Sequence, residues 1–245
     1  MLNKEIRVYA AMVIFALGGA GISSASTAAL LTASAEGVPV GAGAYESFDG
    51  LGAAGGAIGN GMTVTFSGTG AGAVAGLDAP GFYAAPFISG GNGTMFGNPQ
   101  GNGQNQTQYL TTGIGQVTME LDDYHQYFGL LWGSVDHYNS LSFYDGTTLL
   151  FNFTGLDVDG IANGNQGASG TLYVNIESDT PFNRVVASST EYGFEFDNVA
   201  LSVNPISDSA NPASFPVNGI PEPGTLALLG LGLIASMVTR NRRAA

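Results

Sequence analysis

Cysteine is absent from this chain of 245 residues, which excludes both a disulfide framework and a thiol nucleophile. Basic residues are scarce: six Lys and Arg stand against 19 Asp and Glu, for a net charge of −13. Lys4 and Arg7 lie at the start, and Arg240, Arg242 and Arg243 at the end. From Glu36 to Gly219 the only Lys or Arg is Arg184, against 17 acidic residues. A protein that tracks phosphates needs a basic face, so nucleic acid is excluded as a partner. An acidic surface instead suits divalent cations and neutral or cationic partners. Helical periodicity is also missing: no segment between Glu36 and Val203 repeats its apolar residues every 3.6 positions. The glycine-rich stretches are not followed by Gly-Lys-Ser/Thr, which excludes a phosphate loop.

What the chain does have is β pattern. Met62, Val64 and Phe66 alternate with Thr63 and Thr65. Val117, Met119 and Leu121 share a face, and Tyr127 to Val135 is nearly all apolar, as in a central strand covered on both faces. Leu141 and Phe143 precede Asp145-Gly146, and Leu149, Phe151 and Phe153 follow it, which predicts a hairpin. Leu172 to Ile176 and Val185 to Ser188 read as two further strands. In Phe194 to Val203 the apolar phase slips near Asp197-Asn198, which predicts a β-bulge. Tyr45 to Phe48 reads as a short first strand, Gly50 to Gly61 as a loose loop and Gly90 to Gln108 as a long surface loop. Many short strands with Gly, Asn and Asp turns predict an all-β domain, a β-sandwich of jelly-roll type, over residues 36–203. Residues 204–220, with Pro205, Pro212 and Pro216, read as a semi-extended linker.

Both ends read as addresses. Lys4 and Arg7, the apolar stretch Val8 to Ala20 and the small residues that follow have the order of a secretory signal peptide, assigned to residues 1–35 with cleavage before Glu36. Cleavage near Ala25 and an uncleaved N-terminal membrane helix are the alternatives. At the other end, Pro221-Glu222-Pro223-Gly224 opens a tail, 221–245. Thr225 to Val238 carries no charge and predicts a helix of 14 residues. Such a helix rises about 21 Å, short of the roughly 30 Å hydrocarbon core. Arg240, Arg242 and Arg243 form a basic stop that keeps the C-terminus cytoplasmic. A simple tail anchor and a signal that is read and removed both remain open on these grounds.

The order of motif, apolar helix and basic cluster resembles the PEP-CTERM sorting tail of bacterial surface proteins. The resemblance implies recognition by an exosortase, with cleavage near Pro221, Glu222 and Pro223. It also implies display at the surface of a Gram-negative envelope that makes extracellular polysaccharide. Tyr127 to Tyr144, with Gly129-Leu130-Leu131-Trp132-Gly133-Ser134-Val135-Asp136, is similar to a recurring segment of exosortase-dependent surface proteins. So is Phe194 to Ala200. This second resemblance implies a sandwich like that of carbohydrate-binding modules and brings no catalytic residues.

Candidate sites are few. Asp157, Asp159, Asn163 and Asn165 fall in the loop Gly155 to Gly170. Oxygen ligands at alternate positions with nearby glycine suit calcium, although no Glu closes the loop as in an EF-hand. A plain polar turn is the competing reading. Asp197 is a second calcium candidate, because an acidic residue there can hold a structural ion in the modules that this strand resembles; a bulge residue bonded to backbone is its competitor. His125 and His137 lack the partners of a nucleophilic triad or a zinc site and read as solvated loop histidines. No carboxylate pair for glycoside hydrolysis stands out. Trp132 reads as core, whereas Tyr144 and Tyr173 are candidate sugar platforms. The Asn-x-Thr triplets at Asn92, Asn105 and Asn152 read as coincidental.

The expectation is therefore a non-enzymatic, exported surface or extracellular-matrix protein associated with exopolysaccharide or biofilm. The secretion translocon and an exosortase would be its processing partners, and the C-terminal helix would hold it transiently at the inner membrane. A secreted polysaccharide hydrolase and a self-assembling coat protein are the alternatives.

Overall fold

A computed structural model describes residues 6–11, 28–39, 42–76 and 78–205. The linker beyond Pro205 and the tail, with its apolar helix and basic stop, lie outside the described residues. In chain order the strands are β1 (Ile6–Ala11), β2 (Ala28–Ser34), β3 (Ala44–Glu46), β4 (Gly56–Ile58), β5 (Met62–Thr69), β6 (Gly72–Ala75) and β7 (Phe87–Ile88). They continue as β8 (Gly103–Gln104), β9 (Gln108–Thr111), β10 (Ile114–Gly133), β11 (Asn139–Asp145), β12 (Thr148–Thr154), β13 (Leu172–Ser189) and β14 (Glu195–Ser202). One helical turn, α1 (Gly155–Val158), follows β12. The protein is all-β, and the registered strand pairs are antiparallel.

Two long strands organise the domain. β10 and β13 pair along their length, with register shifts between Glu120 and Tyr127. Each changes its other neighbour at that irregularity. The first half of β10 pairs with β5, and its second half with β14. The first half of β13 pairs with β2, and its second half with β11. The sheet therefore doubles back on itself, and its inner faces meet in one core. Phe128 of the second half of β10 meets Phe143 of β11 edge-on, with ring centroids 5.6 Å apart. Trp132 is fully enclosed and stacks on Phe194 at 4.4 Å. A large aromatic core of this kind is how a domain without disulfides holds together, since each enclosed ring removes much apolar area from water.

Several expectations meet the structure directly. Asp145 pairs with Thr148 across a tight turn in which Gly146 takes φ +55°. Between Gly129 and Leu131 the β10–β14 register slips by one residue, and Asn198 takes φ +53°, so the bulge falls where the apolar phase changes.

Others differ. His125 reads as a solvated loop residue before the buried strand, yet β10 runs through Asp122 to Gln126, and His125 is a buried strand residue. Leu172 to Ile176 and Val185 to Ser188 are two parts of the single strand β13. Gly90 to Gln108 does not simply cover the surface: Asn92, Asn98 and Asn105 turn inward and are buried. Tyr173 is fully enclosed, with Phe96 near its ring, and is no sugar platform. Tyr144 is half-buried beneath the Arg184 guanidinium, 4.3 Å from the ring centre. Part of the stretch assigned to residues 1–35 pairs with the sheet. Ala28–Ser34 is a strand of the sheet, paired with β13, and its Leu31 is part of the core.

Candidate functional site

A pocket of about 230 Å³ opens where the end of β10 meets the start of β14. Four segments line it: Gly81 to Ala84, Ser134 with Asp136 and Tyr138, Asn163 and Gly164 with Gln166, and Tyr192 and Gly193 with Glu195. Ser134 ends the straight course of β10 with φ +48°, a conformation uncommon for a residue with a Cβ. That turn sets Asp136 at the pocket. The loop after α1 is then stitched onto it: His137 N–H donates to the Ala162 carbonyl (3.2 Å), and Gly164 N–H to the Val135 carbonyl (3.0 Å). Gly164 sits at φ +69°, and a Cβ there would lie 2.7 Å from the Asp136 carboxylate oxygens. Glycine thus lets the loop back directly onto the acid.

The polar geometry is specific. Tyr138 donates its hydroxyl hydrogen to Asp136 Oδ2 at 2.7 Å, with the Tyr192 carbonyl at 3.0 Å as the alternative acceptor. Burial raises the Asp136 carboxyl above its ordinary value, against the favourable Tyr138 hydrogen bond. Glu195 forms the floor and is fully enclosed. Neither of its carboxylate oxygens makes a hydrogen bond of normal geometry. Burial pushes its pKa up to about 8, and the charge of Asp136 adds to the rise. The Ala84 and Glu195 amides and the Ser134 hydroxyl favour the anion, from positions short of hydrogen-bond geometry, and do not offset the burial. At the rim, Phe82 is 54% exposed and meets Tyr192 edge-on at 5.0 Å.

The residues singled out in the sequence divide among different places. Of the loop candidates, Asn163 lines the pocket, where it bridges to Asp136. Asp157 caps α1, accepting from the Thr154 amide (2.7 Å) and hydroxyl (2.8 Å). Asp159 accepts from the Ile161 amide at 3.0 Å, and Asn165 from the Gly167 amide at 2.8 Å. These are the local bonds of polar turns. Asp197 lies in a buried polar nest, where its Oδ2 accepts from Asn105 Nδ2 at 2.6 Å and its Oδ1 has no hydrogen-bond partner. Asn105 in turn accepts from Asn98 Nδ2 (2.9 Å) and the Thr107 amide (3.0 Å). Burial holds the Asp197 carboxyl well above the usual carboxylate range. His137 is exposed, with its ring against Tyr138. Among the described residues no three His, Cys, Asp or Glu side chains gather as a metal cluster.

Sequence reasoning missed Glu195. It alternates with Phe194 and Phe196 and so reads as an outward, solvated position. It is enclosed because the segment after Asp78 folds over that face. Pro86 lies against Gly133, where a Cβ would come within 3.1 Å of the proline ring. Nothing in the pattern of β14 itself signals this cover.

Residues 219–243 match the family model of the PEP-CTERM protein-sorting motif. The span contains Pro221, Glu222 and Pro223, the apolar run and all three terminal arginines. A motif of this kind marks a chain for export, sorting to the envelope or surface, and processing by an exosortase. No curated protein matches the chain.

Proposed function

We propose that this chain is a non-enzymatic surface or extracellular-matrix protein whose β domain, once displayed, associates with exopolysaccharide. The observation that carries this reading is the sorting motif at residues 219–243, placed after a folded domain that ends with β14 at Ser202. The two-layered antiparallel arrangement supports a jelly-roll sandwich. The acidic surface and the exposed Phe82, edge-on to the half-buried Tyr192, support a neutral glycan as the matrix partner. Export through the secretion translocon would remove an N-terminal leader. Cleavage near Ala25 keeps β2 in the sheet, whereas cleavage before Glu36 would remove it with Leu31, so the fold favours the earlier site. The tail helix would hold the protein at the inner membrane until processing.

One observation favours a second reading, a secreted polysaccharide hydrolase: Asp136 and Glu195 line the same pocket, and the raised Glu195 is protonated at neutral pH as a general acid must be. The enclosure of both Glu195 oxygens at the pocket floor argues against it, since a sugar ring, far larger than a single ion, would have to bring its glycosidic oxygen to them.

Intact mass of the protein recovered from the envelope and medium of its native host tests the first reading. The expected mass ends near Pro221 or carries an added group, and a Glu222→Ala variant retains its tail. A native protein that keeps Arg243 in the inner membrane refutes display. Release of reducing sugar from the host polymer, lost in Glu195→Gln, would establish the hydrolase instead.

A further inference from the structure

Among the described residues no Lys or Arg lines the pocket with the paired acids, and only His137 beside Asp136 favours its ionised form by charge. Arg184 is the only Lys or Arg between Glu36 and Gly219, and it is engaged elsewhere, 3.8 Å from Glu120 and over the Tyr144 ring. His137 neighbours Asp136 in sequence but does not line the pocket. Glu195 is enclosed, faces the pocket and leaves both oxygens without a hydrogen bond. A buried carboxylate in that state is strongly unfavourable unless something occupies its lone pairs. Asp136 is held in place from behind by Gly164 and from the side by Tyr138, as a fixed ligand would be.

We propose that the pocket floor binds a divalent cation of the calcium class between Asp136 and Glu195. Ser134 and Asn163 add neutral oxygens, and water entering from the open side fills the remaining positions. Two carboxylates balance the double charge. Calcium accepts about six to eight oxygens in irregular geometry, including amide and hydroxyl oxygens, whereas magnesium requires a near-ideal octahedron. The irregular mixture here fits calcium better. The inference does not depend on the surface-display reading, since it concerns the folded domain alone.

Calorimetry on the full chain, stripped with EDTA, is the test. One calcium per chain is expected, with Kd at or below about 10⁻³ M, the weak end for extracellular sites. Glu195→Gln and Asp136→Asn are expected to weaken binding at least about tenfold, and Asp159→Asn to leave it unchanged. Absence of calcium binding overturns the proposal. So does magnesium binding as tightly, or loss of binding in Asp159→Asn, which would move the ion to the neighbouring loop. Should the pocket variants misfold, terbium on the unaltered chain decides. Tyr138 and Tyr192 beside the ion should sensitise its emission, and calcium should displace it; no sensitised emission overturns the site.

Discussion

Glu195 and Asp197 stand two residues apart on β14, and both are fully enclosed. Burial raises both carboxyls. Their surroundings nevertheless differ. Asp197 is met by Asn105, which is itself fixed by Asn98 and Thr107. Glu195 faces a pocket, and its oxygens are met by no donor at hydrogen-bond geometry. The nest meets one Asp197 oxygen and leaves Oδ1 without a partner, whereas neither Glu195 oxygen is met. The pocket gives its acid no hydrogen bond of normal geometry and so leaves it available to something outside the chain. Burial alone does not mark a site; a buried acid that faces a pocket with neither oxygen hydrogen-bonded does.

The largest expected effect breaks the nest. Asn105→Ala removes the donor to Asp197 and leaves a buried carboxyl unmet, which should cost about 3 kcal/mol in denaturant unfolding. A loss under about 1 kcal/mol would mean that water replaces the amide and that the nest is no more closed than the pocket. Next comes the backing of the pocket. Gly164→Ala places a methyl against the Asp136 carboxylate at a positive φ and should cost about 1–2 kcal/mol. The same variant should lower calcium affinity in calorimetry, because the acid is pushed from its place.

A smaller effect sharpens the contrast. Glu195→Gln should change stability at pH 5 by less than about 1 kcal/mol. The acid is already protonated there, and no hydrogen bond is lost. Equal losses in Asn105→Ala and Glu195→Gln would erase the distinction between the two regions.

The smallest effect has the opposite sign. His125 is buried within β10, and burial lowers its pKa below the ordinary 6.5, against the help of the Asp123 carbonyl at 2.9 Å. As pH falls through 6.5 the unfolded chain takes up a proton that the folded chain refuses, so stability is present above that pH and falls below it. Subtracting a His125→Gln unfolding curve from that of the unaltered chain should isolate this loss between pH 7 and 5. A flat difference would show that the histidine takes up its proton in the fold as readily as in the unfolded chain.

Much of this is legible in the sequence where a rule is local. The Asp145-Gly146 turn, the slipped phase at Asn198 and the apolar run of β10 each follow from neighbouring residues, as does the sorting motif. What is not legible depends on distant cover. Asp122 to Gln126 is polar enough to pass for a turn, yet pairing across the bend of β10 carries the strand through it. Tyr173 lies on the polar phase of its strand, and only the inward fold of Gly90 to Gln108, which brings Phe96 to its ring, encloses it. Glu195 is hidden by the segment that leads to Pro86. Among the metal candidates, Asn163 reaches the pocket only because the loop after α1 is pinned to Val135 and His137.

The last strand has a mechanical meaning as well. β14 is flanked on one side by β10 and on the other by β3 and β9. In an antiparallel ladder the hydrogen bonds run perpendicular to the strands. A chain held by its C-terminal end under flow would be pulled along β14, loading both ladders in shear and together, rather than opening them one bond at a time. The strand from which the chain runs on toward its sorting motif is thus one that the fold grips from both sides.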